Sequence, residues 1–197
     1  MSDTAVVHDD HQTSTGLPTW KVGFWTFLGS ECLFFASLIS TYMVYKGAST
    51  TGPFPADVLD IPLTSVSTFV LLMSSLAMVL ALDGVQRGKR KLASFWLAMV
   101  IVLGGTFLGF QVYEFNHFVH EGLTISQNVF GSSFFVLTGF HGAHVTVGVI
   151  WLTVLLIMSL RGKLEPADAL KVEIAGLYWH FVDIVWIVIF TLIYLLQ

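Results

Sequence analysis

The sequence predicts an all-α fold, a polytopic transmembrane five-helix bundle, on three observations. Apolar residues make up 55% of the 197-residue chain and charged residues only 11%, and mean hydropathy is +0.77, whereas soluble domains run near a quarter charged. The apolar residues gather into five blocks of about 20 residues or longer, enough to cross a hydrocarbon core about 30 Å thick. The nine Lys and Arg lie mostly between those blocks, and a nucleic-acid footprint would instead concentrate them on one dense basic face.

Residues 1–19 read as a flexible polar tail, mildly acidic through Asp3, Asp9 and Asp10, and carrying His8 and His11. No basic stretch followed by an apolar core marks it as a cleaved signal peptide. The membrane domain then occupies 20–197, with spans at 22–45, 63–82, 92–115, 129–160 and 174–196. Backbone groups find no water in lipid, so each span must be helical. The fourth is longer than a crossing needs and should tilt or project. Between the first two spans, Pro53, Pro55 and Pro62 interrupt helix formation. Residues 86–91 are too short for anything but an antiparallel hairpin between the second and third.

Charge sets the orientation. Arg87, Lys89, Arg90 and Lys91 fill the second connection, Arg161, Lys163 and Lys171 the fourth, and Lys21 precedes the first span. Lys46 alone lies on the other side, and basic residues stay cytoplasmic. The N-terminus is therefore expected inside and the C-terminus outside. Trp20, Trp25, Tyr42, Tyr45, Trp96, Tyr113, Tyr178, Trp179 and Tyr194 fall near span ends and suit interfacial belts. The single cysteine, Cys32, permits no internal disulfide and reads as a small buried hydrophobe.

Ionisable groups at membrane depth are costly and carry a functional hypothesis by default. Glu31 lies about 14 Å from the inner end of its helix at 1.5 Å per residue. Asp183 sits at similar depth in the fifth span, with His180 one turn earlier on the same face. The matched depths motivate a buried cluster of Glu31, His180 and Asp183. His141 and His144 form another i,i+3 pair in the fourth span, and Glu114 stands beside His117 and His120 at the outer end of the third.

Three readings compete for these groups. Haem ligation needs histidines on two helices at matching depth, but His141 and His144 share one helix and His180 has no mate. An ion path of transporter type usually brings broken helices or inverted repeats, and no internal repeat is visible. Structural carboxylate–imidazole bonds between helices fit the spacing best. Gly105 and Gly109 form a GxxxG, and Gly139 and Gly142 flank the fourth-span histidines; small residues let helices approach closely, within the chain or against a partner. Trp179 and Trp186 are candidates for the same packing. No phosphate cradle, nucleophile elbow or closed metal-ligand cluster emerges.

Local strings add a resemblance. Ser30-Glu31-Cys32-Leu33-Phe34-Phe35, residues 130–135 (Phe-Gly-Ser-Ser-Phe-Phe), residues 138–145 (Thr-Gly-Phe-His-Gly-Ala-His-Val) and residues 178–186 (Tyr-Trp-His-Phe-Val-Asp-Ile-Val-Trp) resemble subunit III of the haem–copper oxidases. Tyr113-Glu114-Phe115 and Thr124-Ile125-Ser126 match as well, so the likeness runs from about Trp20 to the end. The five-helix form of that family lacks the two leading helices that enclose a lipid-filled cleft in the seven-helix form.

The resemblance implies an accessory, non-redox subunit of a bacterial cytoplasmic-membrane terminal oxidase, supporting subunit I stability, proton uptake and lipid or oxygen access. It implies no cofactor in this chain. Haems and copper would sit in subunits I and II, and phospholipid would be bound here. Subunit I is the main expected partner, with subunit II, small subunits or a respiratory supercomplex beyond it, and no nucleic acid. The family's carbodiimide-reactive carboxylate maps onto Glu31. Because some quinol oxidases look to carry Asp at that position, cytochrome c is the favoured donor and quinol the alternative.

Overall fold

The computed structural model describes residues 16, 18–46, 60–126 and 128–196. The tail histidines His8 and His11 and the prolines Pro53 and Pro55 lie outside them. Five helices among the described residues are long and apolar enough to cross a membrane. They are α1 (Thr19–Tyr45), α2 (Ile61–Gln86), α3 (Arg90–His120), α4 (Val129–Leu160) and α5 (Ala169–Phe190). A single 3₁₀ turn, Pro166–Asp168, leads into α5, and a π-helical turn, Thr191–Leu195, ends it.

The ends are set by local chemistry. Asp60 caps α2, its carboxylate accepting from Leu63 N–H, with Pro62 in the first turn where no donor is missed. Asn128 caps α4 by accepting from Gly131 N–H at 2.7 Å. The α2–α3 hairpin closes through Gly88 at φ +67°, a left-handed residue that lets Lys89 N–H reach back to the Gly84 carbonyl at 2.8 Å.

Helices α2, α3, α4 and α5 form a ring in which each packs on the next, and α1 leans into the groove between α4 and α5. In lipid, burial of apolar surface does not drive such packing, because the tails are as apolar as leucine; close fit and hydrogen bonds do. Trp179 of α5 supplies the fit. A Cβ on Gly104 of α3 would stand 2.6 Å from its ring, and one on Gly148 of α4 would stand 2.8 Å from it. Its Nε1 donates to Ser74 Oγ of α2 at 2.9 Å, so one side chain joins four helices.

Of the two alternatives for the predicted small residues, packing within the chain or against a partner, the structure places only Gly142 in the first. Nothing lies within 4 Å of a Cβ built on Gly105, Gly109 or Gly139, whereas one on Gly142 would meet the Gln111 amide at 2.6 Å. The GxxxG of α3 is therefore turned off the bundle, and the glycine that packs is its neighbour, Gly104. Aromatic placement shifts in the same way. Trp20, Trp25, Tyr45 and Tyr113 are exposed, but Tyr42, Tyr178, Trp179 and Tyr194 are buried among the helices instead of belting an interface. Cys32, expected to be buried, is exposed.

Candidate functional site

Helices α1 and α5 run parallel in near register. Lys21 pairs with Glu173 at one end, and Lys46 donates to the Leu196 carbonyl at the other. Glu31 and Asp183 therefore lie at similar levels, as the depth argument requires. They do not meet. Their helices are rotated so that Glu31 faces α4 and Asp183 faces α2.

Glu31 Oε2 stands 3.1 Å from His144 Nε2, both side chains being nearly one-fifth exposed. The other ring nitrogen, His144 Nδ1, is 2.7 Å from the Phe140 carbonyl one turn earlier. A carbonyl can only accept, so Nδ1 carries a hydrogen. The Nε2···Oε2 contact then needs a proton of its own. Either Nε2 is protonated, giving an imidazolium–carboxylate pair, or Oε2 is, giving a neutral acid donating to imidazole. Both forms hold one proton between α1 and α4. Phe35 packs edge-on to the ring at 4.9 Å between centroids, and Tyr178 Oη donates to the His144 carbonyl at 3.1 Å. His144 also lines a shallow groove of about 420 Å³ with Phe27, Phe140 and Trp151, so the pair sits at the flank of the bundle.

The remaining predicted residues belong to other clusters. Ser75 Oγ is 2.6 Å from His180 Nδ1. Asp183 lies beside the same hydroxyl, but with Ser75 engaged by His180, neither carboxyl oxygen of Asp183 has a partner at hydrogen-bonding geometry. His141 points into the core, stacked on Trp186 at 4.8 Å and edge-on to Phe107 at 5.8 Å, both its nitrogens unpartnered. His141 and His144 thus diverge instead of sharing a site. Trp186 Nε1 donates to Thr68 Oγ1 at 2.9 Å.

Glu114 turns away from the exposed His117 and His120. It accepts from Thr64 of α2 and from Tyr194 Oη at 3.5 Å, tying three helices at the end of the bundle where α3 and α5 finish. Sequence reading missed Thr64, Thr68 and Gln111, and placed Tyr194 in an interfacial belt. Hydroxyls at membrane depth are too common to single out, but Gln111, a lone amide in an apolar run, was a visible signal; its Nε2 donates to the Thr138 carbonyl at 2.7 Å. Among the described residues no three His, Cys, Asp or Glu side chains gather as a metal site would require.

The chain matches the family described as cytochrome c oxidase subunit III over residues 1–197. It is 41% identical to the quinol oxidase subunit 3 of Bacillus subtilis over 187 residues, 95% of this chain and 91% of the relative. It is 40% identical to the cytochrome c oxidase subunit 3 of Bacillus sp. PS3, covering 89% and 84%, and 40% identical to that of Alkalihalophilus pseudofirmus, covering 93% and 95%. Relatives named for the two donors stand equally near, so identity does not separate cytochrome c from quinol. With every residue inside the family match and relatives aligned almost end to end, the chain belongs to the cytochrome c oxidase subunit III family, a multi-pass membrane family of the haem–copper oxidases.

Proposed function

We propose that this chain is the accessory subunit III of a bacterial terminal oxidase, and that its Glu31–His144 pair is the proton-holding element through which it supports proton uptake by the catalytic subunit. The observation that carries this reading is the contact between His144 and Glu31 across α1 and α4. With Nδ1–H given to Phe140, the 3.1 Å contact to Glu31 retains one exchangeable proton at membrane depth. The pair lies at the flank of the bundle, where a neighbouring subunit or lipid can reach it. Subunit I is the main partner in this reading, with subunit II beyond it. Haems and copper belong to those chains, and cytochrome c is the donor we favour.

Orientation follows from the basic end. Lys21, residues 87–91, Arg161, Lys163 and Lys171 share one end of the bundle, tied by the Lys21–Glu173 pair and by Arg90 reaching the Ser159 carbonyl at 2.7 Å. That end faces the cytoplasm, so the N-terminal tail, residues 1–19, is inside and the membrane domain, 20–197, ends outside.

Carbodiimide labelling tests the role of Glu31. A hydrophobic carbodiimide should label the wild-type chain and the Asp183→Asn variant alike, and should leave Glu31→Gln unlabelled. Equal labelling of wild type and Glu31→Gln sinks the reactive-carboxylate reading.

A further inference from the structure

We propose that the recess at the α2–α3 turn binds the headgroup of an anionic phospholipid, with Lys89 and Lys91 as the ligands of its phosphodiester. This rests on the membrane-spanning fold and not on the role of Glu31. The recess measures about 820 Å³ and is lined by Lys89, Arg90, Lys91, Leu92, Ser94 and Leu160. Its lining joins cationic to apolar side chains. The three cations stand at the turn, and Leu92 and Leu160 stand where the apolar runs of α3 and α4 begin and end. A phospholipid has the same order, charge outside and acyl chain inside, and a basic pocket between helices at the membrane surface is the chemistry that holds acidic headgroups.

Charge pairing shows which cations are free to act. At this end Asp83 pairs with Arg87 at 2.7 Å, Asp168 with Lys171 at 2.7 Å and Glu173 with Lys21. Glu165 lines a separate hollow behind Arg90. Arg90 is held by the last carbonyls of α4, Ser159 at 2.7 Å and Leu160, and so forms the wall. Among the described residues Lys89, Lys91, Arg161 and Lys163 have no carboxylate partner, and of these only Lys89 and Lys91 line the recess. Their stems can lie along Leu92 and Leu160 while the ammonium groups stay at the headgroup level. A zwitterionic headgroup would bring its own cation against this rim, so the recess selects a net negative lipid.

The test uses the assembled oxidase in detergent, stripped of lipid and titrated with dioleoyl phosphatidylglycerol or dioleoyl phosphatidylcholine, with bound lipid counted by native mass spectrometry. Lys89→Gln/Lys91→Gln should bind one phosphatidylglycerol fewer, with affinity at that site lowered on the order of 10- to 30-fold, as expected for two basic residues at about 1 kcal/mol each. Lys89→Arg/Lys91→Arg should keep it, and Arg161→Gln/Lys163→Gln should change it less than about threefold by the same reckoning. If the glutamine pair prevents assembly, Lys91→Gln alone is read, with a loss of about 5-fold expected. Three results overturn the proposal: both glutamine double variants weakening binding equally, phosphatidylcholine binding this site as tightly, or inorganic phosphate displacing the lipid completely, which makes the recess a free-anion site.

Discussion

Helices α1 and α5 run side by side in the same direction, yet the bundle holds them by different means. Over an 18-residue apolar stretch of the fifth span, Pro166–Leu195, 56% of residues are buried; over such a stretch of α1, 11%. Trp179 of α5 is wedged against Gly104 and Gly148, Trp186 is packed on Phe107 and His141, and both are bonded to hydroxyls on α2. Three polar contacts pin α1, one at each end through Lys21 and Lys46 and one in the middle through Glu31. A buried helix is fixed by shape, whereas a helix facing lipid on most of its surface is fixed by the few groups that lipid cannot satisfy. The polar contact in the middle of α1 is also the one to which the proton-holding role is proposed to belong.

The largest effect should come from removing the wedge. Trp179→Ala leaves a cavity among four helices and removes the bond to Ser74 of α2, and should cost about 3–5 kcal/mol, read as loss of folded subunit in a denaturant titration of the complex. Next come Gly104→Ala and Gly148→Ala, whose added methyls collide with the same ring; about 1–3 kcal/mol each is expected. Gly105→Ala and Gly109→Ala, which meet nothing within the chain, should stay within about 0.5 kcal/mol. A larger loss at Gly109 in the assembled oxidase would instead mark that face as a subunit contact. A double-mutant cycle on Glu31 and His144 should give a coupling of about 0.6 kcal/mol, below about 1.7. Lys21→Gln breaks a partly exposed ion pair and should likewise cost less than about 1 kcal/mol. If the α1 substitutions exceed those on α5, the contrast between the two helices is lost.

The same contrast explains what the sequence could disclose. The five spans were legible because hydropathy integrates over a whole helix. Their ends were less so: α3 runs to His120, past the expected 115, and α5 begins at Ala169 instead of 174. Asn116, His117, Lys171 and Glu173 lie outside the apolar run while the helical hydrogen bonds continue through them. Depth was legible too, since 1.5 Å per residue places Glu31 and Asp183 together. Rotation was not. A lipid-embedded helix is apolar on every side, so no polar face says which way a residue turns. Glu31 was assigned to His180 and Asp183 when it turns to His144, and within the chain it is Gly104, about 100° around the helix from Gly105, that packs on Trp179. Both are matters of azimuth, and in both the deciding information lies in the neighbouring helix.

Oxygen consumption by the assembled complex carrying Glu31→Ala, followed over many turnovers, tests the central claim most directly. An accessory proton-holding pair predicts an initial rate close to wild type and a faster decline as turnover continues. Immediate and complete loss of oxygen reduction, in a complex with its full complement of subunits and haem, would contradict it.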